Sequence, residues 1–332
     1  MKASDKMKFA IGFDKRDLSA IHSSIDRIIE TNRWTEGPFT QEFEDEWAQY
    51  NQLESVAFSS WSGAASAALE YYNVVGKTVL CPSNTFMATA LVTMKAGANI
   101  QFVDCNKNDL CMSFEDFKRK AEIYKPAAAW IVHIGGHVAF DIDAIAEYCR
   151  SHEIVLLEDC AHSHGAEWHG RKPGQWGEAG VYSFYATKTI ATGEGGMLVT
   201  RYKDLAEFAR YFRNYGKPDY RVSGLNYRIN EFSAAIGAIQ TRRLSEIVAF
   251  KNEYAAALRD RYPSALKLPD GMISGYYKFI VFEPIDNSTG KVYDEPCHRI
   301  IGHDVSLPNT DWIASNHWCV PIYYRPGIDG CS

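Results

Sequence analysis

The sequence lacks the features of a membrane-spanning or exported chain. No apolar run approaches the roughly 18 residues that a membrane span requires. The N-terminal segment MKASDKMKFAIGF has no long apolar core of a signal peptide. An excess of one charge is also missing, since 35 Lys and Arg against 41 Asp and Glu give a formal net charge of -6. The charge balance favours neither nucleic acid nor an anionic membrane as a partner, and we expect a cytoplasmic protein.

Paired cysteines and metal-ligand clusters are missing as well. None of the 8 cysteines belongs to a C-x-x-C pair, which is typical of reduced core thiols and not of a zinc site or a disulfide framework. We therefore predict no metal. His133 and His137 in HIGGH are separated by a strand end and two glycines and do not share one helix face, which disfavours a metal site. We interpret the histidines as packing or substrate-contact residues. The cysteines stand at 81, 105, 111, 149, 160, 297, 319 and 331, and the histidines concerned are His133, His137, His162 and His164.

What the sequence has is enough apolar surface for a large core. It contains 332 residues, 46% apolar and 13% aromatic, which fits one large domain plus a smaller one. Short apolar runs alternate with helical segments, which predicts an α/β fold with a mostly parallel sheet covered on both faces and ligands at the carboxyl ends of its strands. The predicted strands are SVAFSS (55–60), TVLCPS (78–83), IQFVDC (100–105), AAWIVHI (128–134), IVLLED (154–159), GVYSF (180–184) and GMLVT (196–200).

From about residue 201 the pattern becomes long and helical, and a break containing Pro263 and Pro269 follows. We predict a large domain over residues 1–245 and a smaller α+β domain over residues 246–332. The smaller domain contains YYKFIVF (276–282), a candidate helix around Asp311 to Ser315, and WCVPIYY.

Two charged residues follow strand ends and suggest cofactor chemistry. Lys188, in SFYATKTIATGEGG, can form an imine with an aldehyde cofactor once its pKa is lowered, although the segment alone fits a surface lysine better. Asp159 ends the buried strand IVLLED and needs a cationic partner there. The protonated pyridine nitrogen of pyridoxal phosphate is such a partner, and protonation makes the ring an electron sink. The alternative for Asp159 is a helix cap or a structural salt bridge.

Two further segments complete the pattern. SVAFSS runs into a strand-to-helix turn whose N–H groups can bind a phosphate, although such a turn alone is more often an N-cap. Phe86, in PSNTF, offers a ring that can stack on a pyridine, although an isolated Phe is more often core. The candidate phosphate contacts are Ser62, Gly63, Ala64, Ser66 and Ser183. An imine-forming lysine, a carboxylate, a phosphate-binding turn and a stacking ring at one sheet edge together predict pyridoxal 5′-phosphate as the cofactor.

Seven segments stand in the order and at the spacing of one known family: RWTEGPFTQEFEDEWAQY, Ser62-Gly63, PSNTF, VHIGGH, EDCAHSHGA, SFYATKTIATGEGGML and GLNYRINEFSAAIGAIQ. On them, over about residues 30–245, the chain resembles the DegT/DnrJ/EryC1/StrS (ArnB-like) family of sugar aminotransferases. The resemblance implies the aspartate-aminotransferase fold, fold type I. It also implies that Lys188 is the Schiff-base lysine, Asp159 pairs with the pyridine nitrogen, Phe86 stacks on the ring, Ser183 contacts the phosphate, and His162, where many members carry Gln, packs on the cofactor.

The resemblance further implies a homodimer with composite active sites, in which Asn226 reaches the phosphate of the neighbouring subunit. The alternative is an Asn that serves as a turn or cap within its own chain. Two features depart from the family pattern. Ala64 stands where Thr is common, which removes one hydroxyl from the turn, and the chain ends soon after WCVPIYYRPG, so we expect a shortened C-terminal domain.

The implied reaction is transfer of an amino group from L-glutamate to a nucleotide-linked keto-sugar. A dehydratase of the same family would carry His in place of Lys188. A synthase acting on another cyclic ketone, which would make an aminocyclitol or an aromatic amine, remains open because its EDCAH segment looks similar. A non-catalytic regulatory or scaffold protein would miss site groups, yet Lys188, Asp159 and Ser183 are all present.

Overall fold

The structure is a computed structural model, and it describes residues 13–324. Seven strands form the central sheet in the order β1-β7-β6-β5-β4-β2-β3. All of them run parallel except β7, which pairs antiparallel with both β1 and β6. The predicted mostly parallel α/β sheet is therefore confirmed. The strands are β1 (Glu54–Phe58), β2 (Thr78–Pro82), β3 (Asn99–Val103), β4 (Ala128–Val132), β5 (Val155–Asp159), β6 (Ala179–Ser183) and β7 (Gly196–Thr200).

Helices cover both faces of this sheet, and alternate residues of a strand enter different cores. In β2, Val79 and Cys81 belong to the cluster beneath one group of helices, whereas Leu80 belongs to the cluster on the opposite face. Burial on both faces explains why the strands read as continuous apolar runs. The helices on the first face are α3 (Trp61–Tyr71), α4 (Met87–Lys95) and α7 (Lys203–Phe212), and those on the second are α5 (Phe114–Tyr124) and α6 (Ile142–Ser151).

A buried carboxylate joins the N-terminal helices to the long helix α8 (Glu231–Arg261). Helices α1 (Leu18–Thr31) and α2 (Pro38–Asn51) both pack on α8. Glu231 accepts hydrogen bonds from the N–H groups of Gly37 (3.0 Å), Phe39 (2.8 Å) and Thr40 (3.0 Å). These donors lie at the N-terminus of α2, where they have no partners within the helix and where a negative charge is favoured. The segment TEGPFT thus has a structural role.

The C-terminal part of the described chain contains a two-stranded antiparallel sheet of β8 (Phe279–Val281) and β9 (Trp318–Val320), and between these strands the helices α9 (Cys297–Ile300) and α10 (Pro308–Ser315). Asp104, just after β3, accepts hydrogen bonds from the N–H groups of Thr310 (2.7 Å) and Asn309 (3.1 Å), so it caps α10 from the main sheet. Residue 245 lies inside α8, and the division at that residue stays a prediction.

The two glycines of HIGGH bring the C-terminal segment close to the sheet edge. Gly135 (φ 67°) and Gly136 (φ 112°) adopt conformations that L side chains rarely adopt. A Cβ on Gly136 would lie 2.6 Å from the backbone nitrogens of Tyr276 and Tyr277. The carbonyl of Gly135 accepts from the Lys278 N–H (2.8 Å). These contacts hold Tyr277 and Lys278 beside the carboxyl end of β4.

Residues 1–12, which form most of the segment assessed for a signal peptide, and Cys331 lie outside the described residues. The other seven cysteines are buried free thiols. None of the helices between residues 13 and 324 combines the length and the apolar character that crossing a membrane requires.

Candidate active site

A cleft of about 750 Å³ opens where strand ends of the sheet meet the C-terminal segment. Its walls come from residues that follow β1, β2, β5 and β6, together with residues near 277 and 293. The structure brings together there six of the side chains predicted from sequence: Ser62, Phe86, Asp159, His162, Ser183 and Lys188. The predicted convergence at one sheet edge follows from the parallel strands, whose carboxyl ends lie on the same side.

Lys188 lies in the loop between β6 and β7 and is half-buried. Its Nζ is 4.7 Å from the centre of the Tyr277 ring. Burial lowers the pKa of Lys188 to about 8; Asp159 opposes this shift and the charge of Lys278 adds to it. More of the amine is therefore unprotonated near neutral pH than in an ordinary lysine, and this is the state that a nucleophilic lysine needs.

Asp159 is the last residue of β5 and is only 5% exposed. One carboxylate oxygen accepts from Thr89 Oγ1 (2.9 Å) and the other from the Ala161 N–H (3.0 Å). Burial raises the pKa of Asp159, while these hydrogen bonds and the charge of Lys188 lower it. The arrangement suits a cationic group placed in the cleft, because a buried carboxylate is stabilised most by a charged partner.

Aromatic side chains form the walls between these two groups. The His162 ring lies 4.2 Å from that of Tyr277, and its Nε2 is 3.4 Å from the hydroxyl of Tyr293. Burial lowers the pKa of His162 well below its usual value, so the ring is neutral. Within residues 13–324 its Nδ1 has no hydrogen-bond partner. Phe86 lies at the start of α4 and is 58% exposed, although it is a large apolar ring.

The strand-to-helix turn is both an N-cap and part of the cleft wall. The Ser60 side chain accepts from the Gly63 N–H (3.2 Å), while Ser62 lines the cleft. Gly63 and Ala64 lie behind this surface in the buried first turn of α3. The expected hydroxyl of Ser66 is not available to the cleft, because it donates to the Ser62 carbonyl (2.8 Å). Ser66 therefore does not compensate for the hydroxyl missing at Ala64.

Asn226 is placed apart from the cleft of its own chain. It is exposed, and its side-chain oxygen accepts from the Arg228 N–H (3.4 Å), which forms a local turn. Neighbouring Tyr227 packs against α3, where a Cβ on Gly63 would lie 2.9 Å from its ring. The role of Asn226 in a second subunit stays a prediction.

Three buried groups, His133, Glu158 and Cys160, have possible metal-ligand atoms within 4.8 Å of one another. His133 Nε2 lies 3.0 Å from Glu158, and its Nδ1 accepts from the Ala139 N–H (3.1 Å). Glu158 also accepts from the N–H groups of Gly174 (2.7 Å) and Gly177 (2.6 Å). Since both ring nitrogens and the carboxylate are engaged, the group is a packing network.

Sequence reasoning missed Thr89, Tyr277, Lys278 and Tyr293 as parts of this site. Thr89 follows PSNTF by three residues, at a spacing that places it near Phe86 on the first turn of a helix. For Tyr277 and Lys278 the local sign was the predicted strand YYKFIVF, which carried no indication of its neighbours, and Tyr293 had no local sign.

The side chains present fit pyridoxal phosphate. The lysine of lowered pKa suits the aldehyde, and the buried carboxylate suits the ring nitrogen. The neutral imidazole, which has an unpartnered nitrogen, suits the phenolic oxygen, and the exposed Phe ring suits the face of the cofactor ring. The N-terminus of α3 suits the phosphate.

Comparison with known proteins points to the same chemistry. GDP-perosamine synthase from Escherichia coli O157:H7 is 32% identical over 228 residues, which cover 67% of this chain and 62% of that protein. The match thus spans about three-fifths of that relative. A dTDP-3-amino-3,4,6-trideoxy-alpha-D-glucose transaminase from Micromonospora megalomicea subsp. nigra is 29% identical over 343 residues, covering 93% of this chain and 91% of the relative.

Solved structures resemble the whole described fold. The aminotransferase TlmJ from Streptoalloteichus hindustanus superposes with a TM-score of 0.85 at 27% identity, covering 95% of this chain and 92% of that chain. This likeness confirms the prediction of fold type I. The sequence model of the DegT/DnrJ/EryC1/StrS aminotransferase family matches residues 16–268, well over half of the chain. The resemblance is thereby confirmed, and the chain belongs to this family, whose cofactor is pyridoxal 5′-phosphate.

Proposed function

We propose that the protein is a pyridoxal-phosphate-dependent aminotransferase that transfers an amino group from L-glutamate to a nucleotide-linked keto-sugar. The observation that carries this proposal is the placement of Lys188, with a pKa of about 8, and buried Asp159 in one cleft. Relatives named for GDP-, dTDP- and UDP-linked amino sugars support the substrate class without favouring one base.

Each wall of the cleft has a part in holding the cofactor. When bound, pyridoxal phosphate supplies an aldehyde and an electron-withdrawing ring. Lys188 Nζ would bind at the aldehyde carbon, Asp159 would hold a proton at the ring nitrogen, and Phe86 and His162 would pack on the ring. The phosphate would be bound by Ser62 and Ser183, with the N–H groups of Trp61 and Ser62 at the start of α3 adding to the attraction, while Gly63 and Ala64 form the turn behind them.

Lys188 is also the group that moves protons during transfer. Its Nζ would take the proton that leaves the donor's Cα and pass it to the bound cofactor, and in the second half-reaction it would take a proton back from the cofactor and place it on the sugar carbon that receives the amine. A base works best when its pKa lies near the working pH, and a value of about 8 meets this condition. Tyr277 stabilises the protonated form through its ring, and its hydroxyl bonds Thr187 (3.1 Å), which fixes the ring beside the lysine.

The active unit in this proposal is a cytoplasmic homodimer. Leu225, next to Asn226 in the chain, and Tyr220 are exposed apolar side chains of this segment, and Trp34, whose ring contacts Phe232, is exposed as well. Exposed apolar groups in one region are typical of an interface. Asn226 donates from there to the cofactor phosphate of the partner subunit. Seven buried free cysteines agree with a reducing compartment.

The proposal is tested by loading the protein with pyridoxal phosphate and following its absorbance band at about 410–430 nm, which a bound lysine imine produces. L-Glutamate should remove the band, and a GDP-, dTDP- or UDP-linked keto-sugar should restore it. Lys188→Ala is the control that forms no such band. A band that L-glutamate leaves unchanged would contradict transamination, whereas restoration only by a cyclic ketone without a nucleotide would favour the synthase alternative.

A further inference from the structure

A smaller cavity of about 200 Å³ adjoins the cleft, and we call it the side cavity. The cleft and the side cavity share four lining residues: Thr187, Lys188, Tyr277 and Lys278. The volume holds several water molecules or the side chain of a small organic acid, but not a nucleotide. Whatever the side cavity binds next to Lys188 is therefore smaller than the proposed acceptor.

Two lysines give the side cavity an unbalanced positive charge. Lys251, on α8, is 5% exposed, and among the described residues its ammonium group donates to the Tyr276 carbonyl alone (3.1 Å). Burial lowers its pKa to about 7, and the charge of Lys278 adds to this effect. Among residues 13–324, no carboxylate lies within 4.0 Å of either ammonium group. A buried cation without an anion is costly, so the two lysines form a site that an anion would stabilise.

The acidic residues on the cavity wall are already engaged. Asp14 is paired with Arg16, and Asp17 with Arg243. In the cleft, Asp159 is bonded to Thr89 and the Ala161 N–H. Glu194, Asp294 and Glu295 also line the cleft, and in the part of the chain that the structure describes no carboxylate is ion-paired with Lys251 or Lys278.

We propose that Lys278 and Lys251 form the carboxylate-binding site for the amino donor, an inference that rests on the proposed function. Lys278 binds the α-carboxylate at the junction of the cleft and the side cavity. Lys251 binds the side-chain carboxylate inside the side cavity. A dicarboxylic amino acid meets both charges, so the pair determines the specificity for the donor.

The position of Lys278 favours the donor over the nucleotide diphosphate as the anion bound. In an α-amino acid the carboxylate is bonded directly to the carbon that carries the amine. In a nucleotide-linked keto-sugar, ring atoms and the anomeric oxygen separate the diphosphate from the reacting carbon. Lys278 lies close to the reacting lysine, since the centre of the Tyr277 ring is 5.3 Å from Lys278 Nζ and 4.7 Å from Lys188 Nζ. An anion bound by Lys278 therefore lies beside the carbon that reacts at Lys188. Of the two substrates, the α-amino acid is the one that carries a negative charge there.

The two halves of a transamination provide an internal control. The variants are Lys278→Gln and Lys251→Met, with Lys203→Gln, an exposed lysine of α7, as the charge-matched control. The donor half-reaction is measured with L-glutamate. The other half-reaction is measured in its reverse direction, with the amino-sugar product as the substrate. For Lys278→Gln we expect kcat/KM with L-glutamate to fall about tenfold more than kcat/KM with the amino sugar, because one charge-assisted hydrogen bond to the donor is lost. Most of this loss should appear as a higher KM for L-glutamate. Lys251→Met should lose most of its preference for L-glutamate over L-alanine.

A second readout needs no turnover. Calorimetry measures binding of glutarate, a dicarboxylate without an amine, to the cofactor-loaded protein. We expect glutarate to bind the wild type and Lys203→Gln equally, and to bind Lys278→Gln and Lys251→Met about tenfold more weakly. If Lys278→Gln loses kcat/KM equally in both half-reactions, or if glutarate binding is unchanged, the donor-site inference is overturned while the proposed function still holds. A wild-type protein that processes no amino donor would overturn the proposed function as well.

Discussion

The pairing of Asp159 with a ring nitrogen is tested by Asp159→Asn, which removes the charge and keeps the shape. Asp159 accepts from Thr89 Oγ1 (2.9 Å) and the Ala161 N–H (3.0 Å). An amide oxygen still accepts from Ala161, and the amide NH₂ can donate to Thr89 Oγ1. The local structure is therefore retained, and the variant isolates the charge.

Asp159→Asn should lower kcat/KM but should not lower the stability of the cofactor-free protein. Removing one member of a buried ion pair costs about 3–5 kcal/mol, which lowers kcat/KM by roughly 10²- to 10⁴-fold. In the free protein, burial raises the pKa of Asp159 above its unfolded value. The stability contributed by this group is thus present below the unfolded pKa and lost as pH rises through the folded pKa. Without the buried carboxylate, the cofactor-free variant should be at least as stable as wild type at neutral pH.

The assay combines kcat/KM for L-glutamate with the thermal unfolding midpoint, measured with and without pyridoxal phosphate. Asp26→Asn, an exposed change on α1, is the control with the same loss of charge. We expect Asp159→Asn to lose rate and most of the cofactor-induced rise in the midpoint. A rate within about tenfold of wild type, a difference of about 1.4 kcal/mol, would refute the pairing. If the cofactor-free variant has a thermal unfolding midpoint well below that of wild type, Asp159 instead has a structural role.

Four further outcomes are expected. Lys188→Ala should abolish turnover yet still bind pyridoxamine phosphate in an absorbance titration, because Asp159 and the phosphate-binding turn remain; near wild-type activity would contradict its role. In stopped-flow mixing, the rate of cofactor attachment should rise with pH and level off above about 8, since only unprotonated Lys188 attacks, and a rate independent of pH from 6 to about 9 would argue against it. Glu231→Gln should lower the free energy of unfolding by about 2 kcal/mol in urea, because charged acceptance from three N–H groups is lost, and a change below about 0.5 kcal/mol would reject that role. Gly136→Ala should reduce kcat/KM by displacing Tyr277, and unchanged kinetics would show that the close contact can relax.

The sheet could be predicted closely because its strands are buried on both faces. The run IVLLED was predicted as a strand over 154–159, and β5 spans Val155–Asp159. The ends of elements were less accurate, since SVAFSS was predicted as a strand over 55–60, whereas β1 ends at Phe58 and α3 already begins at Trp61. The side chain of Ser60 caps the Gly63 N–H and thereby starts the helix earlier.

The candidate site was predictable where its residues follow strand ends, and not where long-range contacts deliver them. Asp159 and Lys188 follow β5 and β6, and parallel strands bring their carboxyl ends to one edge. Tyr277 reaches the same edge through the close approach of its backbone to Gly136. The sequence marks that glycine as unusual, but no local pattern says which segment fills the space that a side chain would take.

The turn before α3 shows why two interpretations of one motif need not exclude each other. A helix N-terminus has four N–H groups without partners inside the helix. The Ser60 side chain accepts from the Gly63 N–H and its carbonyl accepts from the Ala64 N–H (3.4 Å), which is the capping role. The N–H groups of Trp61 and Ser62 come earlier in the same turn, and Trp61 and Ser62 both line the cleft. A phosphate in the cleft can use these donors while Ser60 keeps the helix capped, because an anion and a cap are stabilised by the same helix end through different N–H groups.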